Sequence, residues 1–225
     1  MSFTFGYDLP QDVLATQQSR AFRLFLKNWF GDMRALSRGE VDLAFLNDLT
    51  PEELELARDL LRRNLKLKQT HIIEGVAMLG DTASVPTLRS MFMSEPDASR
   101  RLVIAGALWK LDRDNVFIDC LEAMRLGNDS SLKRAHFRQI LWLGDERAVD
   151  FLLKFLDDQD RSVSFFALST LNQLEFGRRF HVPESQQPHN RDYYCAHNAD
   201  ADLRSTMVAN LQKLKLSGPE QVVRA

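Results

Sequence analysis

The stretch Arg100-Arg101-Leu102-Val103-Ile104-Ala105-Gly106-Ala107-Leu108-Trp109-Lys110-Leu111-Asp112 decides the fold, because three other stretches carry the same apolar spacing. Taking Leu111 as an anchor, Leu108 and Ile104 stand three and seven residues before it, which is one face of an α-helix. Leu79 has Val76 and Ile72 at those offsets, Leu143 has Ile140 and His136, and Leu174 has Leu171 and Ala167. The four leucines are 32, 32 and 31 residues apart. A fixed period of this size marks a stack of similar supersecondary units.

A second column follows each anchor. Val85, Leu88 and Phe92, then Phe117, Cys120 and Met124, then Val149, Leu152 and Leu156, fall six, nine and thirteen residues on. They predict a second amphipathic helix in every unit, and an earlier segment with Leu54, Ala57 and Leu61 supplies the first member of the first pair. Each unit is thus helix A, a turn and helix B. Thr50-Pro51-Glu52-Glu53 reads as a capping box with proline at the first helical position. Gly80 and Gly144 stand just after the last apolar position of a helix, where a left-handed residue is usual. Asp157-Asp158-Gln159-Asp160 reads as a turn between A and B. No segment alternates with the period of a half-buried strand.

The Arg100–Asp112 stretch, with Leu79-Gly80-Asp81 and Trp142-Leu143-Gly144-Asp145, resembles the short HEAT-like repeats found in bilin lyases and in deoxyhypusine hydroxylase. The likeness runs from about Thr50 to Glu175. It implies an all-α, α-α superhelix, a HEAT-like solenoid with the B helices along its concave side. The His-Glu dipeptides that bind iron in deoxyhypusine hydroxylase are missing, so that activity does not transfer. The scaffold itself serves many functions.

Residues 1–225 are expected to form a single domain: an N-terminal helical cap over 1–49, four HEAT-like pairs over 50–175, a loop over 176–198 and a C-terminal capping helix over 199–216. A solenoid needs atypical ends to cover its last apolar faces. Val13, Leu14, Phe22, Phe25, Leu26, Trp29 and Phe30 serve this purpose at the front, and Leu203, Met207, Leu211 and Leu214 at the back.

Composition agrees with a helical globule: 44% hydrophobic and 27% charged, with 15 Phe and 10 Gly. A net charge of −2 and a pI near 6.2 exclude a globally basic nucleic-acid binder. With no membrane span and no disulfide framework in Cys120 and Cys195, a cytoplasmic chain is expected. His181, His189, Cys195 and His197, near Asp200 and Asp202, match no established zinc pattern and are expected to hold no metal. Cys120 and His136 occupy core columns, so a buried small hydrophobe and a satisfied core histidine are expected. The nucleophile elbow, the phosphate-binding glycine loop and the dinucleotide fingerprint are missing, and no catalytic residue or cofactor is assigned.

Charge is unevenly placed. Over 68–79, 97–110, 130–142 and 161–174, the expected B helices carry formal charges of 0, +2, +3 and +1, which leaves −8 on the rest of the chain. Arg134, Arg138 and Trp142 follow one another at four-residue steps on the third, and with Arg101 and Lys110 they are the expected partner-binding residues. The resulting expectation is a non-enzymatic protein-binding scaffold, an adaptor, regulator or toxin-neutralising immunity protein, gripping an acidic protein on its concave face. Nucleic-acid binding in the manner of HEAT-like DNA glycosylases and a bilin-lyase-like enzyme are the alternatives.

Overall fold

A computed structural model describes residues 6–11, 18–31 and 43–180. The C-terminal capping helix, the loop beyond Phe180 with its histidines, and Val13 and Leu14 lie outside the described residues. All regular structure among the described residues is helical, without a strand. The chain divides into two compact units, Met1–Ala123 and Met124–Ala225.

In the first unit, α1 (Arg20–Leu26) continues into one wide π turn, Lys27–Gly31, and a 3₁₀ segment follows at Leu43–Asp48. Next come α2 (Pro51–Asn64), α3 (Thr70–Met78), α4 (Val85–Ser94), α5 (Ala98–Asp112) and the start of α6 (Val116–Leu126). Helix α2 begins at the expected capping box, and Glu53 does more than reach back to the Thr50 N–H. Its carboxylate also accepts the backbone N–H of Ser19 at 2.9 Å and its hydroxyl at 2.8 Å, while the Ser19 hydroxyl accepts from Phe22 N–H and caps α1. One acidic side chain therefore fixes two helix starts. Burial works against its charge, but the hydrogen bonds from Ser19 and Thr50 hold its pKa below the ordinary value.

The pairs α2–α3 and α4–α5 pack together, and α3 packs on α5, so the two B helices stack directly. Every residue from Leu102 to Trp109 is buried, which makes α5 the centre of this unit. Ile72, Val76, Ile104 and Leu108 are buried at the places the period assigns. The aromatic residues of α1 and its π turn, Phe22, Phe25, Trp29 and Phe30, are fully enclosed. Trp29 reaches α3 because Gly75 has no Cβ; an added one would lie 2.2 Å from the indole nitrogen. That nitrogen donates to the His71 carbonyl at 3.1 Å.

The second unit carries the rest of α6, α7 (Ser130–Ala135), α8 (Phe137–Ile140), a 3₁₀ turn at Leu141–Leu143, α9 (Asp145–Lys154) and α10 (Arg161–Phe180). Helix α10 packs on α9 and on α7, repeating the arrangement of the first unit. Ile140 and Leu171 are buried as expected, along with Phe137, Phe151, Phe155, Val163 and Leu168.

Several expectations need correction. The third B helix is not continuous over 130–142: it breaks at His136, and its last turn tightens to 3₁₀. Helix α10 continues to Phe180, five residues into the stretch expected to be a loop. Gly80 does take the left-handed conformation, with φ 64°, but Gly144 has φ 93° and ψ 172°, an extended glycine-type conformation that starts α9. Cys120 is only half-buried, and its neighbour Leu121 fills the core.

Replacing Leu108 by Ala is expected to cost about 2–5 kcal/mol through the cavity left between α3 and α5, read as a lower urea midpoint at unchanged slope. An unchanged midpoint would show that the stacking register is wrong.

Candidate functional site

Four of the eight cations on the expected B helices, Lys68, Arg100, Lys133 and Arg134, are engaged by nearby carboxylates. In the first unit, Lys68 and Arg100 both meet Glu95, at 3.4 and 3.2 Å. In the second, Lys133 meets Asp158 at 2.6 Å and Arg134 meets Asp160 at 3.5 Å. The A helices do the same: Arg62 holds both oxygens of Asp81 through Nε and Nη2, and Arg89 reaches Asp112 and Asp114. Apart from Arg100 with Glu95, which are neighbours across one turn, these contacts join residues roughly 20–30 positions apart in the chain.

Of the five expected partner-binding residues, Arg134 is half-buried and donates to the Ser162 hydroxyl at 2.7 Å as well as pairing with Asp160. Hydrogen bonds from Ser130 and Ser162 hold the Asp160 carboxyl well below the usual range. Arg134 is thereby built into the α7–α10 junction. Trp142 lies half-buried in the 3₁₀ turn, and the side chain of Arg138 lies outside the described residues. The break at His136 removes the straight helix on which the three were expected to line up. Arg101 and Lys110 are both exposed on α5, but nine residues turn a helix by about 180°, so they face opposite ways. They do not share one surface.

Arg101 has a distinctive setting. Its guanidinium lies over the Phe92 ring, 4.8 Å from the centroid. The next residue on α4, Met93, is 82% exposed, the most exposed of the large apolar side chains among the described residues. Phe92 and Met93 are the site residues the repeat pattern hides, since Phe92 belongs to a core column and Met93 follows it as an ordinary helix position.

Elsewhere in the first unit, an open cleft of about 580 Å³ is lined by Lys66, Leu67, Lys68, Gln69, Thr70, His71 and Arg100. It lies where the 3₁₀ turn Leu65–Leu67 leads into α3 through Lys68, whose φ of 52° is left-handed. At its edge the Tyr7 hydroxyl donates to Gln69 Oε1 at 2.6 Å and stands 3.2 Å from His71 Nε2. With the hydroxyl proton given to Gln69, the ring supplies the second one, so His71 is the neutral Nε2–H tautomer. Burial depresses its pKa to about 4. The neighbouring Asp8 is clipped by Asn64, which accepts its N–H at 2.8 Å and donates to its carbonyl at 3.2 Å.

His136 is buried beside Gln139, 3.3 Å from its side-chain oxygen, as expected of a core histidine. Among the described residues there is no cluster of metal-ligating side chains, and no helix is long and apolar enough to cross a membrane. Comparison with protein-family models, characterised proteins and solved structures finds no match.

Lys133 and Asp158 are 7% and 10% exposed, so removing one leaves the other charged and enclosed. Lys133→Met is expected to destabilise the chain by about 3–5 kcal/mol in urea unfolding, and adding Asp158→Leu to recover most of that loss. Equal stability of wild type and single variant would contradict the buried pair.

The His71 shift sets a pH dependence. The unfolded chain takes up a proton near pH 6.5 that the folded ring accepts only near 4, so His71 contributes stability that is present above about pH 6.5 and lost as pH falls toward 4. In the His71→Gln variant, the fall in urea midpoint across that window is expected to be smaller than in the wild type.

Proposed function

We propose that this chain is a HEAT-like helical-repeat scaffold that binds another protein, in an adaptor, regulator or immunity role, and performs no catalysis of its own. Stacking of α3 on α5 and of α7 on α10 supports the repeat reading. The observation that carries the binding reading is Met93, 82% exposed next to a phenylalanine roofed by Arg101. Methionine adapts its shape to an apolar partner surface, and arginine over an aromatic ring is held ready with its donors pointing outward. Such combinations supply most of the energy at protein interfaces. An acidic partner fits because a carboxylate can meet the Arg101 fork while an apolar side chain covers Met93. A nucleic-acid track is poorly supported, since the chain carries a net charge of −2 and Lys133 and Arg134 of the second unit are engaged by Asp158 and Asp160.

Affinity capture from the native host, with wild type and an Arg101→Glu variant side by side, tests this reading. One protein retained in stoichiometric amount is expected, and Arg101→Glu or Met93→Ser should weaken it by at least about 2 kcal/mol at an unchanged urea midpoint. The exposed control Arg63→Ala should leave binding intact. Equal binding by the Arg101 and Met93 variants, or retention of nucleic acid with a steep salt dependence, would overturn the proposal.

A further inference from the structure

The cleft around Lys66, Lys68 and Arg100 has a chemistry that the protein-binding surface on α4 and α5 does not use. Three cationic side chains from two parts of the chain line it, together with Thr70 and the first turn of α3. How each cation is held matters more than the number. Arg62, the structural comparison, spends Nε and Nη2 on both oxygens of Asp81. Arg100 gives Glu95 a single bond, Nη1 to Oε1 at 3.2 Å, and the structure shows no further side-chain bond from its guanidinium among the described residues. Glu95 Oε2 has only a long ionic contact, 3.4 Å from Lys68 Nζ, and no close hydrogen bond. The Glu95 side chain is 1% exposed. It is a buried counter-charge shared by two cations, each of which meets it through one contact of more than 3 Å. Lys66 meets Asp8 at 3.4 Å, but both are exposed, and such a pair opens at little cost.

The helix end adds donors of the same sign. Gln69 is the N-cap of α3 but makes no side-chain cap, because its oxygen is taken by the Tyr7 hydroxyl. The amides of Thr70 and His71, which line the cleft, are left for another acceptor. His71 is neutral there and puts no further charge on the group it would face. One cleft thus has in its lining a guanidinium, two lysines and the first two residues of a helix, the kinds of donor that a tetrahedral dianion requires. The space is larger than a bare ion fills and suits a phosphate still attached to its carrier.

We propose that the cleft formed by Lys66, Lys68, Arg100 and the start of α3 binds a phosphate monoester. Arg100 takes two oxygens through its unused edge, Lys68 and Lys66 neutralise the charge, and the Thr70 and His71 amides close over the remaining oxygen. The carrier is either a small molecule or a phosphorylated side chain of a protein, and the phosphate contacts are shared by both.

The test uses the full chain, titrated separately with inorganic phosphate and with a phosphoserine peptide, at an ionic strength fixed with chloride so that screening is constant. Saturable binding that moves the Thr70 and His71 amide resonances is expected, and the tighter of the two ligands identifies the carrier. Arg100→Gln should weaken binding at least about tenfold by removing the forked contact. Lys66→Gln, at an exposed position where folding is not at risk, should weaken it several-fold, and Arg63→Gln should not change it. Unsaturable shifts with both ligands, or Arg100→Gln and Lys66→Gln proteins that bind as the wild type does, would overturn the site.

Discussion

Helix α5 has no residue left for solvent between Leu102 and Trp109, and that constraint organises the first unit. A helix that is apolar all round has to be enclosed on every side. Its partner α4 covers one flank, and α3 from the preceding pair covers another. Helix α3 in turn is closed by Trp29, which is admitted only because position 75 is glycine. Neither helix pair of the first unit closes its own core, and each completes its burial against the other through α3 and α5.

Stacking brings the turns of one pair beside the helices of another, and the charged residues there pair up. Asp81, Glu95, Asp112 with Asp114, and Asp158 with Asp160 are each met by lysine or arginine from a neighbouring element. Where the pair is enclosed, as with Lys133 and Asp158, it acts as a lock on register, because any slip would strand a buried charge. Where it is exposed, as with Arg89 and Asp112, it contributes little to stability. Half of the cations counted along the B helices, Lys68, Arg100, Lys133 and Arg134, thus have a carboxylate at short range. Two features of the first unit carry the proposed binding roles: Arg101 over Phe92 beside Met93, and the cleft beside the two cations that share Glu95.

These two features differ in kind. The α4–α5 surface is exposed side-chain chemistry, an apolar side chain beside one cation, of the kind that serves a folded partner. The cleft is concave, with main-chain donors at a helix start, suited to a small anionic group.

The sequence by itself determined the helices and their order. The leucine period located α3, α5, the segment ending at Leu143 and α10, and Thr50 with Glu53 marked the start of α2, because helix periodicity and capping are local properties readable from neighbouring residues. The same spacing placed Val76, Leu108, Ile140 and Leu171 in the core. Local reasoning failed where a partner from elsewhere in the chain intervenes. The break at His136 interrupts a run with no proline or glycine to announce it, and Leu121 displaces Cys120 from the core by a small rotation of α6. Arg134 was legible as a cation, but its engagement with Asp160 and Ser162 was not, nor was the sharing of Glu53 between two helix starts. Tertiary structure alone decided which charges remain available, because a side chain's freedom depends on the acceptors that packing brings within about 3 Å, and those lie tens of residues away along the chain.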